Sequence, residues 1–226
     1  MSLGSRIRGL RAMARQGLLI GTRRARAPKE RNRNAPVYML FVHGYLAASP
    51  VFDPMRDFLS RRHVVDTDAI DYGPHERYGR VLERVLSKLE NERFERPVIL
   101  LGHSLGGLLC RDALAQVPHV PECVVTLATP HRGTRVARAV PGSLAAALRP
   151  DSDIVQRLME APIRSRAINV VADEDGTVPR LAARWPGSEE YVLEGVGHNG
   201  IVFDESCWHI VEGVLQDLRA ASARDR

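Results

Sequence analysis

The chain has 226 residues, 44% hydrophobic and 26% charged, an ordinary globular balance with enough material for a sizeable core. Its net charge of +5 is uneven: residues 1–35 contain ten Lys/Arg against one acid, and the remainder contains 22 bases against 26 acids. No stretch approaches the 18 or so apolar residues of a membrane span, and the three scattered cysteines (Cys110, Cys123, Cys207) form neither a disulfide framework nor a zinc pattern.

The basic segment 1–35 reads as a leader ahead of a mildly acidic body at 36–226. Its only apolar run, GLLIG at 17–21, is too short for the core of a secretory signal. Thr22-Arg23-Arg24 lacks the hydrophobic run that a twin-arginine signal requires. With free thiols the default, the expected location is the cytoplasm, with membrane association left open. Two readings of the leader stand side by side. One is a solvated, partly disordered tail. The other is a basic amphipathic helix, with Ile7, Leu10, Met13 or Ala14, and Leu18 at helical spacing, lying on anionic lipid. No nucleic-acid partner is expected, because the segment has no aromatic residue to stack on bases.

From Pro36 onward, short apolar runs alternate with helical periodicity. Strands are expected at 37–43, 63–70, 97–103, 123–128, 167–172 and 190–195, apolar without alternation, as when both faces of a sheet are covered. Helices are expected at 52–62, at 76–90 (Val81, Leu82, Val85, Leu86 and Leu89 on one face), at 104–116, and at 204–221 (Trp208, Val211, Val214, Leu215, Leu218). This alternation implies βα units and a mostly parallel sheet with helices on both faces.

The run ILLGHSLGGLLC (99–110) sets Ser104 between glycines where a strand ends and a helix begins. Such a turn forces the serine into a strained conformation. Strand and helix crowd together, and small residues are needed on both sides, here Gly102 and Gly106. Ligands of open α/β sheets bind beyond the carboxyl ends of the strands, where this turn lies. A serine hydroxyl needs a base and the base an orienting acid, which follow a G-x-S-x-G turn in the order acid, then histidine.

Among eight histidines only His198 and His209 follow the last strand. His209 falls mid-helix, so His198, in the loop GVGHNG, is the expected base. The acid is Asp175 in VVADEDGTVP, with Asp173 as the alternative, and Gly176 is expected to let that loop turn back. Oxyanion donors are expected from the backbone N–H groups of Leu105 and Tyr45, and Gly44 allows the loop FVHGYLAA to approach. His43 is expected to brace that loop. No metal constellation and no cofactor motif appear.

Together FVHG, GHSLGG, TLATPHRGT, DGTVP and GVGH resemble the α/β-hydrolase superfamily, in particular small bacterial triacylglycerol-lipase-like esterases. The resemblance spans roughly 36–217 and implies the α/β-hydrolase fold. It also implies a triad of Ser104, Asp175 and His198. Two departures stand out. The extra N-terminal strands of larger members have no counterpart, and Tyr45 occupies a position where many relatives carry another apolar residue.

Where larger members insert a cap domain, residues 131–166 offer only two short apolar helices. One contains Val140, Leu144 and Leu148; the other contains Ile154, Val155, Leu158 and Met159, with Ser152 as N-cap. They read either as an apolar flap, with Leu144 and Leu148 against an acyl chain, or as packing onto the core. His131 and Thr134 read as structural residues near the rim. The expected activity is hydrolysis of a small-molecule or lipid ester through an acyl-enzyme. Acyl transfer with the same triad and non-catalytic binding of a hydrophobic ligand are the alternatives.

Overall fold

The computed structural model describes residue 14 and residues 31–224, apart from 93–95 and 120; the expectations for Ile7, Leu10, Met13 and Leu18 lie outside the described residues. Six strands, β1 (Tyr38–Val42), β2 (Asp66–Ile70), β3 (Val98–His103), β4 (Cys123–Leu127), β5 (Arg166–Ala172) and β6 (Glu189–Leu193), pair in parallel in the order β2-β1-β3-β4-β5-β6. Among the described residues from 31 onward the α-helices are α1 (Asp53–Arg62), α2 (Tyr78–Glu92), α3 (Leu105–Gln116), α4 (Ser143–Ala147), α5 (Asp153–Glu160), α6 (Arg180–Ala183) and α7 (Glu205–Arg224). None of the helices among the described residues is long and apolar enough to cross a membrane.

The unbroken apolar texture of the central strands follows from their two covered faces. In β1, Tyr38, Leu40 and Val42 pack with Val81, Val85 and Leu89 of α2 and with Leu105, Leu108 and Leu109 of α3. Met39 and Phe41 face the other way, onto Met55 and Leu59 of α1 and Val211, Val214 and Leu215 of α7. Each such side chain taken fully out of water contributes about 1.5–3 kcal/mol, so neither face admits a polar residue cheaply. All three cysteines are buried and unpaired, and burial raises their thiol pKa values, that of Cys123 to about 12.

The edge strands depart from expectation. The residues before Asp66 are not strand, because the N–H of His63 still closes the last turn of α1 on the carbonyl of Leu59. β2 starts at Asp66, whose buried carboxylate accepts hydrogen bonds from Arg31, Arg96 and the Asn32 N–H. Burial alone would raise the Asp66 pKa; the two guanidinium groups reverse that and hold it below the usual carboxylate range. At the other edge β6 ends at Leu193, and Gly195, with φ of 67°, turns the chain into the loop that carries His198.

The chain runs from β1 outward to β2, then crosses back to β3, so its direction of travel reverses between β1 and β3. The connections leaving those two strands diverge and open a crevice at their carboxyl ends. Ser104 and the His43–Gly44–Tyr45 segment both emerge there.

Candidate active site

Ser104 has φ of 54° and ψ of −118°, a conformation that costs a non-glycine residue about 1–3 kcal/mol. The surroundings enforce it. Its N–H donates to the carbonyl of Leu127 at 2.9 Å, and its carbonyl accepts from the Gly107 N–H at 3.0 Å. A Cβ on Gly106 would lie 1.9 Å from the Val42 carbonyl oxygen, and one on Gly102 would lie 2.4 Å from the backbone of Gly106. α3 therefore starts in backbone contact with β1 and β3, and the serine is the side chain left projecting. The Leu105 N–H, at the first position of α3, has no acceptor within the helix.

The three side chains named from sequence order meet at this turn. The Ser104 hydroxyl lies 3.1 Å from Nε2 of His198, and Nδ1 of His198 lies 2.7 Å from Oδ2 of Asp175. The Asp175 side chain is 2% exposed and that of His198 15%, so the carboxylate is sealed while the imidazole reaches the surface. Asp175 also accepts hydrogen bonds from the N–H groups of Thr177 (2.8 Å) and Val178 (2.7 Å) through Oδ1. These bonds make the turn, which corrects the role expected for Gly176: its φ is not positive, and a Cβ there would meet nothing within 4 Å. Asp173 instead accepts from the Val196 N–H at 3.2 Å and supports the loop before His198. A hydroxyl, an imidazole and a carboxylate in this sequence can pass the hydroxyl proton to the ring while the carboxylate fixes the Nδ1–H tautomer.

Two further histidines frame the arrangement. His43 is fully buried; its Nδ1–H donates to the Gly44 carbonyl at 2.8 Å, its Nε2 accepts the Tyr72 N–H at 3.2 Å, and its ring stacks on Tyr72. It braces the loop after β1, as expected. His103 was not singled out from the sequence. Its Nε2–H donates to the carbonyl of His198 at 2.9 Å, and its ring lies so close to Gly44 that a Cβ there would sit 2.9 Å from its Nδ1. Burial, then the neighbouring His198, push its pKa down to about 3, so it stands as a neutral strut between the two loops. Only its place inside GHSLGG hinted at that.

Across the crevice, the Tyr45 side chain lines a cleft of about 400 Å³. The Tyr45 N–H donates to no backbone carbonyl among the described residues. The far wall comes from 134–148: Thr134, Val136, Val140 and Leu148 line the cleft together with Ser104 and His198. Leu144, expected beside Leu148, is fully buried in the core under α2 and α3 and does not reach the cleft. α4 is only five residues long and Leu148 caps its C-terminus, where it packs into the same core as Leu144 and also lines the cleft. α5 is capped by Ser152, whose hydroxyl accepts the Val155 N–H at 3.2 Å, and it buries Val155 and Leu158 in the core while Met159 stays exposed. The segment thus packs down and supplies a wall at once.

His131 sits in a sealed pocket, with Nε2 3.1 Å from the Thr126 hydroxyl and its ring stacked on Trp185. His209 is exposed on α7, against Phe58 and Glu212, away from Ser104.

The sequence profile of the alpha/beta hydrolase family matches residues 39–168. A search of curated protein sequences gave no match. Among solved structures, the mature form of the Bacillus licheniformis lipase BlEst2 is 19% identical with a TM-score of 0.67, covering 84% of this chain and 96% of that one. Est1E from Butyrivibrio proteoclasticus, with ferulic acid bound, is 16% identical with a TM-score of 0.68, covering 86% and 94%. A structure from work on the carboxylesterases of Nitrososphaera gargenis is 13% identical with a TM-score of 0.66, covering 85% and 94%. At such identities the likeness is one of fold. The family match, by contrast, takes in more than half of the chain, with both the Gly44 loop and the Ser104 turn inside it: the protein belongs to the α/β hydrolase family.

Proposed function

We propose that the protein is a serine hydrolase of carboxylic esters that works through an acyl-enzyme. Ser104 attacks the ester carbonyl as its proton passes to Nε2 of His198, and the imidazolium then protonates the departing alcohol. Asp175 holds the ring by Nδ1 and stabilises its positive charge. Water, deprotonated by the same imidazole, clears the acyl group and regenerates the serine. The oxyanion formed in each half-reaction is assigned to the N–H groups of Leu105 and Tyr45. The observation that carries the reading is the continuous relay from Ser104 through His198 to Asp175, at 3.1 and 2.7 Å, opening on a cleft with an apolar wall. That wall, formed by Val136, Val140 and Leu148, favours an apolar acyl arm over a bare acetate.

A fluorophosphonate probe tests the assignment directly. The wild-type protein should be labelled stoichiometrically and hydrolyse chromogenic esters, and Ser104→Ala should lose both while keeping its melting temperature. No labelling of the folded wild type sinks the assignment. Labelling with turnover only when an alcohol acceptor is added reassigns the protein to acyl transfer.

A further inference from the structure

Behind the Thr134–Val136 wall lies a second hollow of about 430 Å³, and these two residues line both it and the Ser104 cleft. Its lining combines apolar surface with two arginines, Arg132 and Arg135, and contains no acidic residue. Leu181, the most exposed large apolar residue described at 67%, and Val136 at 49% stand at its mouth.

The arginines there differ from their neighbours. Arg138 pairs with Asp151 at 3.1 Å, Arg157 with Asp112 at 2.8 Å and Arg180 with Glu190 at 3.5 Å. Arg132 and Arg135 have no carboxylate within ion-pair reach among the described residues. Asp175, beside the hollow in sequence, is already engaged by His198 and two backbone N–H groups.

The backbone that carries the two arginines is fixed. The Arg132 N–H donates to Ala182 at 2.9 Å, the Gly133 N–H to Pro130 at 2.8 Å, and the Thr134 N–H to Leu148 at 2.7 Å. The Thr134 hydroxyl donates to the Thr177 carbonyl at 2.6 Å. Gly133, at φ of 74°, lies against Pro150 so closely that a Cβ would fall 2.5 Å from its backbone. Two arginines carried on a firmly bonded, partly apolar stretch of backbone next to an ester-binding cleft suit a chain of methylenes ending in an acid. A guanidinium fork matches a carboxylate in geometry as well as charge.

Resting on the esterase reading above, we propose that this hollow takes a carboxylate at the far end of the acyl arm, so that the preferred substrates are monoesters of dicarboxylic acids. The methylenes cross the Val136 wall, and the carboxylate reaches Arg132 and Arg135.

The test compares nitrophenyl monoesters of dicarboxylic acids of increasing length with the same compounds capped as methyl esters, using the full chain. At the length that spans the wall, the free acid should have a kcat/KM higher by about tenfold to a hundredfold, the range expected for charge-assisted hydrogen bonds. In Arg132→Gln/Arg135→Gln that preference should disappear, with turnover of the capped ester and fluorophosphonate labelling unchanged. Equal rates for the free and capped acids in the wild type overturn the proposal. So does a preference that survives in the double variant. If Ser104 is not labelled and no ester is cleaved, the hydrolase reading fails, and titration calorimetry with a free dicarboxylate decides the second hollow on its own. Binding that is lost in the double variant supports the hollow, and no binding in the wild type overturns it. If anionic vesicles, rather than soluble dicarboxylates, are retained in an arginine-dependent way, the pair belongs to a lipid surface and the proposal falls.

Discussion

The loops that leave β4 and β6 each carry a histidine, and the two are treated in opposite ways. His198 has a carboxylate on Nδ1, a hydroxyl on Nε2 and part of its ring at the surface. His131 is enclosed by Trp185, Thr126 and Arg111, whose Nη1 donates to Nδ1 at 3.4 Å. Burial first, then the adjacent guanidinium, drive the His131 pKa well below the usual imidazole value. Arg111 is itself lowered by burial, to about 10, and still holds its charge at neutral pH. Burial beside a fixed cation keeps the His131 ring neutral, whereas the His198 ring has a carboxylate at one nitrogen and a hydroxyl at the other. The chemistry is set by the partner and by access to the cleft, and position after a strand decides neither.

Asp175→Asn is the most direct way to break this contrast. An amide can donate to the ring, so it favours the wrong tautomer, while its carbonyl can still accept from Thr177 and Val178. On the proposed mechanism kcat should fall by about 10³–10⁴-fold, with little change in melting temperature. A loss under tenfold would place the orienting group elsewhere.

His131→Gln should do the reverse: ester turnover persists and stability falls by about 1–3 kcal/mol at pH 8, measured by denaturant unfolding. The pH dependence sharpens this. The unfolded chain protonates His131 below about pH 6.5 while the folded chain resists, so the wild type loses stability as pH falls through that value. Each such histidine contributes a slope of up to about 1.4 kcal/mol per pH unit. His131→Gln removes one contribution, so the gap between variant and wild type should narrow as pH drops. A gap that stays constant would mean that His131 titrates normally. The smallest expected effect is Ser152→Ala, which removes the cap of α5 and should cost about 1 kcal/mol in unfolding free energy without altering labelling of Ser104.

The legible parts of the sequence are those where one physical demand dominates. β1, β3, β4 and β5 lie between helices on both faces, and burial from both sides is what an uninterrupted apolar run of strand length reflects. Edge strands answer to ion pairs as well. β2 opens on Asp66 and its two arginines, and β6 on Glu189, which pairs with Arg166 at 2.9 Å, so their apolar texture marked the bounds poorly. Ser104, Asp175 and His198 could be read because the order of loops along a parallel sheet limits which residues can meet. What surrounds them could not. Leu144 and Leu148 share a helical spacing, but the helix stops between them. The second hollow joins residues 132–136 to 176–182 across a gap that no local pattern spans. His103 acts through the carbonyl of a residue 95 positions away.

The seating of α3 on the sheet has a consequence for change over time and for design. At Gly106 the helix backbone rests on the backbone of β1, and at Gly102 a methyl group would fall 2.4 Å from the backbone of Gly106, so neither contact has a side chain that could repack. Residues elsewhere can be exchanged in size and shape while the hydroxyl of Ser104 keeps its station. A designer reshaping the cleft therefore has latitude at Val136, Val140 and Leu148, and none at the glycine joint that carries Ser104.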